Sequence, residues 1–386
     1  MQCDYFDAGI CRSCALMNVP YERQLAAKLE RARAVLAPWA PRWLPPASSP
    51  ESHFRNKAKM VVGGSVQAPT LGILDAEKTG VDLRECGLYD ERITATFPPL
   101  SEFITRAKLV PFDVRSGRGE LKNILVSVAP SGALMIRFVL RSTESVVRIK
   151  KHLPWLRERI PQALVVTANL LPERAALVEG TEEIFLTDAE QLPMQLGPDF
   201  ELYLRPGSFF QTNTDIARAM YAQARAWCEQ SVARRPVAIW DLYCGVGGFA
   251  LSVAGPGRNV LGVEISEPAI RAAKRAAARA GHAERAESAA SGSVRFIAGD
   301  AAQAAREESE APDIVIVNPP RRGLKELAPW LEEHRPPWAI YSSCNIATLA
   351  TDLEVMKSYE ALEARLFDMF PQTEHMETMA LLRLRA

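Results

Sequence analysis

The feature that most restricts the fold of this chain is a series of short apolar segments in its second half. Helix-like stretches separate them, and they read "VAIWDLYCG", "NVLGVEI", "VRFIAGD", "DIVIVNPP" and "WAIYSSC". Continuous apolar strands that alternate with helices are typical of a parallel sheet covered on both faces. Ligands on such sheets bind beyond the carboxyl ends of the strands. The sequence therefore predicts an α/β domain over residues 201–386.

The rest of the chain divides into two further regions, since 386 residues are too many for one ordinary core. Residues 51–200 contain β-branched runs between turn residues, which favour a central α+β domain with a largely antiparallel sheet. Residues 1–50 hold three cysteines, an amphipathic helix in "ERQLAAKLERARAVL" and a proline-rich break over 37–50. The Ala/Ser-rich stretch 278–294 is predicted to be a helix end and a surface loop without function.

Composition argues against a disordered or membrane-spanning chain. The hydrophobic share is 48% and the charged share 24%, both close to the globular average. No apolar run approaches the roughly 18 residues that a membrane span needs. The first residues, "MQCDYFDAGICRSC", lack the basic and then apolar pattern of a signal peptide. We therefore expect a cytoplasmic protein. A net charge of zero leaves a nucleic-acid partner open, because a balanced total can hide a basic face.

A glycine-rich loop, "WDLYCGVGGF", follows the first apolar segment of the α/β region. Glycines such as Gly245 let the backbone approach a ligand closely. About twenty residues further on, Glu264 ends the next segment, where its carboxylate can accept hydrogen bonds from two ribose hydroxyls. A dinucleotide oxidoreductase could use the same acid. The pattern also resembles the S-adenosylmethionine-binding fold, which implies that Asp300 at the end of the third strand contacts adenine.

Chemically distinctive residues follow the fourth and fifth apolar segments. "NPP" resembles a motif of adenine- and amide-methylating enzymes, but Arg321 and Arg322 stand where those enzymes have an aromatic residue. The fifth segment ends in "YSSCN" and carries Cys344. A free cysteine is often a small buried packing residue, so Cys344 alone decides nothing.

Cys344 and Glu377 together fit the methylation of uracil at C5. That carbon becomes nucleophilic only after a group adds to C6, and a thiolate suits this step because it adds and leaves readily. A base must then remove the C5 proton, which the carboxylate of Glu377 can do within hydrogen-bond reach. His375 is expected to orient its neighbours or to contact phosphate.

Five motifs in order, "SFFQTN", "DLYCGVGGF", "NPPRRG", "YSSCN" and "FDMFPQTEHME", resemble the RNA uracil-C5 methyltransferase family. The resemblance implies a Rossmann-like class I domain that uses S-adenosylmethionine as methyl donor. It also implies that Cys344 is the nucleophile and Glu377 the proton acceptor. The positions that resemble the family's cofactor-binding residues are Gln211, Tyr243, Glu264 and Asn318. Many members carry Asp in place of Asn318.

The remaining cysteines suggest a metal centre near the N-terminus. Three of them have the spacing C-x7-C-x2-C and a fourth lies downstream; they are Cys3, Cys11, Cys14 and Cys86. Four thiolates can hold zinc or a [4Fe-4S] cluster, and the spacing leaves both open. The resemblance to the bacterial ribosomal branches implies a [4Fe-4S] cluster that fastens the N-terminus to the central domain. Cys228 and Cys244 are predicted to be packing residues.

The same resemblance concerns the substrate. With its first cysteine at Cys3, the chain is expected to lack the extra N-terminal barrel of a related branch. It then resembles the branch that methylates a hairpin-loop uridine of 23S ribosomal RNA, with the base flipped into the site. No membrane and no obligate protein partner are expected. Candidates for phosphate contacts lie in two basic stretches and are Arg55, Lys57, Lys59, Arg118 and Lys122.

Three alternatives remain open at this stage. The same reaction could act on another 23S uridine or on tRNA. An amino- or cytosine-methylating enzyme could use the same fold, although cytosine-C5 enzymes usually place the thiol after a proline, which is missing before Cys344. A non-catalytic iron–sulfur RNA-binding protein would not need both Cys344 and Glu377.

Overall fold

The computed structural model of the chain describes residues 1–173, 177–231, 236–282, 292–308 and 310–385. Its strands are β1 (Arg42–Trp43), β2 (Lys57–Gly64), β3 (Pro69–Leu74), β4 (Gly80–Asp82), β5 (Leu121–Val128), β6 (Leu134–Leu140), β7 (Ala163–Leu170), β8 (Glu182–Phe185), β9 (Leu192–Gly197), β10 (Phe200–Leu204), β11 (Val237–Leu242), β12 (Arg258–Glu264), β13 (Ser293–Ala298), β14 (Ile314–Val317), β15 (Trp338–Ser343), β16 (Tyr359–Phe367) and β17 (Glu377–Leu384). Its α-helices are α1 (Asp4–Asp7), α2 (Tyr21–Leu36), α3 (Glu91–Thr94), α4 (Phe97–Arg106), α5 (Val146–Arg159), α6 (Thr214–Ser231), α7 (Gly248–Val253), α8 (Glu267–Arg279), α9 (Ala301–Glu307), α10 (Leu327–His334) and α11 (Ile346–Val355). Among the described residues, no helix combines the length and the apolar character that a membrane crossing requires.

The chain forms two compact units. The first consists of Met1–Cys14, Glu51–Gln195 and Arg205–Gly207, and the second of Ala15–Pro50, Leu196–Leu204 and Ser208–Ala386. The expected N-terminal segment 1–50 is thus shared between them, because its first 14 residues belong to one unit and the remainder to the other.

The first unit is built on a seven-stranded sheet in the order β4-β3-β2-β5-β6-β7-β8. Its neighbours are antiparallel except β6 and β7, which are parallel and are connected through α5. Phe103 of α4 and Ile149 of α5 share one buried core with Met60 and Phe138 of the sheet. The largely antiparallel α+β arrangement agrees with the sequence prediction.

The second unit is built on an eight-stranded sheet in the order β1-β16-β17-β15-β14-β11-β12-β13. Strands β11 to β15 are parallel, and β17 runs antiparallel between β15 and β16. β14 is buried at every residue, as expected for a central strand of a covered sheet. The chain leaves β11 on one side for β12 and β13 and returns to its other side for β14 and β15. A site is therefore expected at the carboxyl ends of β11 and β14, where the direction of winding reverses.

The segment before the first unit's sheet belongs to this second fold. α2 covers the predicted amphipathic helix and buries Ala32 and Leu36 completely. The proline-rich stretch 37–50, predicted as a break, contains β1, which pairs in parallel with β16. Here the non-proline residues Leu44 and Ala47 donate their N–H groups to β16, and an edge strand tolerates prolines between such donors. Of the predicted loop 278–294, residues 283–291 lie outside the described residues.

Candidate active site

The glycine loop after β11 has an unusual backbone. Tyr243, Gly245 and Gly247 have positive φ angles of 72°, 55° and 87°. At Gly247 a Cβ atom would lie 2.9 Å from the ring of Phe296 and 3.1 Å from Cβ of Ala273. Both the backbone angle and the packing therefore require glycine at position 247. Without a side chain there, the loop can pack closely against Phe296 and Ala273.

Glu264, the last residue of β12, lies against this loop. Its Oε2 accepts a hydrogen bond from the Gly245 N–H at 3.2 Å, and its Oε1 accepts one from the Ser266 N–H at 2.9 Å. Two backbone donors thus hold the carboxylate beside the loop, where the sequence predicts a ligand-binding acid.

Asp241 lies beneath the same loop and was not predicted as a site residue. It is completely buried, and its Oδ2 accepts a hydrogen bond from the Ala250 N–H at 2.8 Å. Its Oδ1 has no hydrogen-bond partner within the described residues. Burial raises the pKa of Asp241 to about 7, and the Ala250 N–H opposes this shift.

The other predicted cofactor residues differ in their surroundings. Asp300 caps α9, since its Oδ1 accepts hydrogen bonds from two backbone N–H groups at 3.0 Å. Burial, and then the charge of Asp300, raise the pKa of Tyr243, so these two residues are neighbours. Asn318 directly follows β14 and is half-buried. Gln211 is buried and precedes α6. Tyr243, Glu264, Asp300 and Asn318 all follow or end strands of the same sheet edge.

The polar residues of "YSSCN" build the turn that presents Cys344. Ser343 donates its hydroxyl to the Asn345 carbonyl at 2.9 Å and accepts the Asn345 N–H at 3.1 Å. The side chain of Asn345 caps α11 by accepting the Ala347 N–H at 3.2 Å. Cys344 lies between them, half-buried after the end of β15. Ser343 and Asn345 thus follow the apolar part of β15 because their side chains form the turn and cap the next helix.

The "NPPRRG" loop is fastened to the same turn. Asn345 donates from Nδ2 to the Arg321 carbonyl at 3.3 Å. Further along the loop, the Leu324 N–H donates to Oδ2 of Asp352 at 2.8 Å, and the Tyr341 hydroxyl donates to the same oxygen at 2.5 Å. These bonds fix the backbone of Arg321 beside Cys344.

Electrostatics connect Cys344 with two charged residues. Burial and then the charge of Glu377 raise the pKa of the Cys344 thiol, while a hydrogen bond from Arg321 and its charge lower it. Glu377 is the first residue of β17 and is 4% exposed. Burial raises the pKa of Glu377 to about 8, opposed by Arg321. Its Oε2 has no hydrogen-bond partner in the part of the chain that the structure describes.

Arg321 lies close enough to affect the pKa of both Cys344 and Glu377, and the sequence prediction did not name it as a site residue. At the level of the sequence, the two arginines of its motif argue against adenine and amide methylation, although an arginine directly after a strand-end "NPP" lies at the edge where ligands bind. By contrast, the predicted packing residues Cys228 and Cys244 are buried.

The four N-terminal cysteines are all in the first unit. Burial, and then the charges of Cys86, Cys11 and Cys3, raise the pKa of Cys14 to about 11, whereas Arg55 lowers it. Within the described residues, no three His, Cys, Asp or Glu side chains are arranged so as to hold a metal ion. The thiols are thus within electrostatic range of one another without forming a closed ligand set.

The predicted phosphate contacts need one correction. Lys59 and Arg118 are exposed, but Lys122 is buried. Its Nζ donates to the Glu173 carbonyl at 2.5 Å and lies 4.7 Å from the centre of the Phe112 ring. Lys122 is the second residue of β5, a strand whose first six residues are all buried.

Comparison with known proteins agrees with this geometry. The family described as tRNA (uracil-5-)-methyltransferase matches residues 189–385. The chain belongs to this family. The predicted activity, S-adenosylmethionine-dependent methylation of uracil C5 in RNA, is thereby confirmed at the level of the family.

Two relatives extend the likeness to the whole chain. The 23S rRNA (uracil(747)-C(5))-methyltransferase RlmC of Salmonella enteritidis PT4 is 44% identical over 386 residues, which cover 99% of this chain and 100% of that protein. The RlmC of Escherichia coli O139:H28 is 44% identical over 385 residues, 99% of each. The crystal structure of Pyrococcus abyssi tRNA (uracil-54, C5)-methyltransferase with S-adenosyl-L-homocysteine has a TM-score of 0.77 at 24% identity, covering 96% of this chain and 85% of that one. It shows the same fold.

Proposed function

We propose that this enzyme methylates C5 of a uridine in 23S ribosomal RNA. The proposed target is the uridine equivalent to uracil 747, the base that appears in the names of its relatives. The observation that carries the proposal is the 44% identity to proteins named for that reaction, over 99% of this chain. A tRNA uridine is the second candidate, because the Pyrococcus abyssi neighbour is named for tRNA, but its identity is only 24%. A ribosomal substrate is consistent with a cytoplasmic enzyme.

Cys344 is proposed as the nucleophile and Glu377 as the base. The Cys344 thiolate adds to C6 of the uracil, and the electron pair of the C5–C6 double bond moves into an enolate. Arg321 favours the thiolate, since its hydrogen bond and charge lower the pKa of Cys344. S-adenosylmethionine, when bound, would supply the methyl group to C5 and would keep the electron pair of the broken methyl–sulfur bond as S-adenosylhomocysteine.

The second half of the reaction regenerates the enzyme. Glu377 takes the C5 proton, the electrons of that C–H bond restore the C5–C6 double bond, and the C6–S bond electrons return to Cys344 as thiolate. A carboxyl group with its pKa near 8 is a stronger base than an ordinary carboxylate, which suits removal of a carbon-bound proton.

The proposed cofactor site comprises Gln211, Tyr243, Gly245, Glu264, Asp300 and Asn318. The narrow glycine loop and the fixed carboxylate of Glu264 fit a ribose-bearing ligand. Asp300 has Oδ1 committed to the cap of α9, so only its other oxygen is left for adenine. For the RNA, exposed Lys59 and Arg118 are proposed phosphate contacts, and the target base is flipped out of a hairpin loop.

A [4Fe-4S] cluster held by Cys3, Cys11, Cys14 and Cys86 is a further part of the proposal. The support is chemical: after burial, neighbouring thiols of the set raise the pKa of Cys14 and of Cys86, and an all-cysteine donor set suits an iron–sulfur cluster. Such a cluster would fasten residues 1–14 to the rest of the first unit.

The target is tested by mapping 5-methyluridine in ribosomal RNA and tRNA. A strain without the gene should lose one 5-methyluridine of 23S RNA and regain it with the wild-type gene. A gene carrying Cys344→Ala is the matched control and should not restore it. Loss of 5-methyluridine from tRNA with unchanged 23S RNA would contradict the proposed substrate and favour the second candidate.

A further inference from the structure

We propose that Gln24 and Lys28 of α2 are positioning residues for Glu377 and that they set the rate at which the C5 proton is removed. The inference rests on the proposed role of Glu377 as base. It concerns the segment 368–376, called here the base loop, which joins β16 to β17.

The base loop begins at a buried ion pair. Lys28 donates from Nζ to Oδ1 of Asp368 at 2.7 Å and to the Phe370 carbonyl at 3.0 Å. The side chains of Lys28 and Asp368 are 2% and 0% exposed. A buried pair of this kind is sensitive to the loss of one partner, because the other charge is then left in a low-dielectric interior. The first residues of the base loop are therefore held firmly to α2.

The middle of the base loop is held by a reciprocal amide pair. Gln24 donates from Nε2 to Oε1 of Gln372 at 2.9 Å and accepts the Gln372 N–H on its own Oε1, also at 2.9 Å. The Gln372 carbonyl accepts the Leu16 N–H at 3.0 Å. Gln372 has a φ of 67°, a left-handed backbone that a non-glycine residue adopts only when its surroundings require it. The two hydrogen bonds with Gln24 hold Gln372 in this conformation.

The end of the base loop contacts the next turns of the same helix. Arg31 donates to the Glu374 carbonyl, and Met376 packs in a small cluster with Ala32. Residues at positions 24, 28 and 31 lie on one face of a helix. One face of α2 thus contacts the base loop from its start to the residue before Glu377.

This arrangement matters because Glu377 is the first residue of β17, so the base loop determines how the chain enters that strand. Its Oε2 has no hydrogen-bond partner among the described residues, so the carboxylate depends on the position of its backbone. Cys344, by contrast, is presented by β15, α11 and the turn between them. A shift of the base loop should therefore impair proton removal while leaving thiolate addition and methyl transfer intact. A base misplaced by about 1 Å can lose about 100-fold in rate.

The test separates the two halves of the reaction in single turnovers with excess enzyme. The rate of formation of the covalent enzyme–RNA adduct and the rate of release of free methylated RNA are followed on denaturing gels. Two variants are used: Gln24→Leu, and Lys28→Met combined with Asp368→Asn, which leaves no lone buried charge. We expect adduct formation within about twofold of wild type and release slowed about tenfold or more, so that the adduct accumulates.

Arg33→Ala, at an exposed residue of the same helix, is the matched control and should release RNA at the wild-type rate. Glu377→Gln is the reference for a blocked release step. Release at the wild-type rate in both base-loop variants, or an equal slowing of adduct formation and release, would overturn the positioning role if Glu377→Gln still accumulates adduct. If Glu377→Gln releases RNA normally, the failure lies in the proposed function of Glu377, and the inference falls with it.

Discussion

Cys344 and Glu377 lie opposite each other where β15 and β17 pair. Ser343 is paired with Thr378 in an antiparallel register, so the residue that follows β15 faces the first residue of β17. Arg321 acts on both, lowering the pKa of each side chain. The proposed nucleophile and base thus lie at the ends of two adjacent strands, Cys344 just after β15 and Glu377 where the base loop enters β17.

The first prediction separates the roles of these two residues. Cys344→Ala cannot add to C6 and should abolish methyl transfer while RNA still binds. Glu377→Gln should form the adduct and transfer the methyl group but fail to expel the thiolate, because the C5 proton stays in place. A shifted band on a denaturing gel, dependent on S-adenosylmethionine, measures the adduct. Wild-type enzyme with 5-fluorouridine RNA should give the same band, and an adduct in Cys344→Ala would remove that residue from the mechanism.

The second prediction concerns stability and pH. Burial raises the pKa of Glu377 from 4.5 to about 8, so between these values the folded state binds more protons than the unfolded state. The free energy of unfolding contributed by this group therefore falls as the pH rises. The free energy of unfolding of Glu377→Gln, relative to that of the wild type, should therefore increase by about 1.4 kcal/mol for each unit of pH rise across that range. Above that range the difference should stay constant. Urea unfolding between these pH values measures it.

Asp241→Asn provides the comparison for that series. Burial raises the pKa of Asp241 to about 7. The free energy of unfolding that Asp241→Asn gains over the wild type should therefore stop increasing at a lower pH than that of Glu377→Gln. A gain that does not change with pH in either variant would show that the carboxylate is already ionised at low pH in the folded protein.

The third prediction concerns Arg321. Arg321→Ala removes a hydrogen bond and a positive charge that lower the pKa of Cys344, so less thiolate is present near neutral pH. Alkylation of Cys344 by iodoacetamide, followed by mass spectrometry, should therefore be slower than in the wild-type enzyme. Arg322→Ala, at the exposed neighbouring residue, is the control and should react at the wild-type rate. Equal slowing in both variants would argue for a general loop effect.

The fourth prediction concerns the proposed cluster. Protein purified without oxygen should be brown and contain iron and sulfide in about equal amounts. Cys86→Ala should lose both and destabilise the N-terminal residues, whereas Cys228→Ala, a buried cysteine of the second unit, should retain them. Stoichiometric zinc in the wild-type protein would contradict the assignment.

The fifth prediction concerns the cofactor. Glu264→Ala should weaken S-adenosylmethionine binding by about 1.5–3 kcal/mol, the value of charge-assisted hydrogen bonds, as measured by calorimetry. RNA affinity should stay nearly unchanged. Glu267→Ala, at an exposed residue on the following helix, is the matched control. Similar losses for both ligands in Glu264→Ala would indicate damage to the domain.

The sequence predicted the parts of this protein that depend on local order along the chain. β6 and β7 coincide with β-branched runs, and Glu264 and Cys344 could be placed because parallel strands share one edge for their carboxyl ends. Glu377 was proposed from its chemistry, since the reaction needs a base as well as a thiolate.

What the sequence did not predict depends on distant partners. Lys28 and Asp368 pair across 340 positions, and no local periodicity indicates that a helix near one end of the chain holds a loop near the other. Lys122 was predicted to contact phosphate because it lies in a basic stretch beside a predicted strand. It is buried because its ammonium group finds a carbonyl and an aromatic ring, which only the folded chain brings together.

The division of the chain also fixes an order of assembly. A ribosome releases α2 and β1 early, but their partners β16 and β17 are the last strands to be made. The apolar side chains of Ala32 and Leu36 therefore lack their native neighbours throughout the synthesis of the first unit. A chain that stops before β16 has no Asp368 to receive Lys28 and no strand beside β1. Premature termination should thus leave a folded first unit joined to an incompletely folded second unit. The exposed apolar side chains of that second unit are what chaperones and proteases can recognise.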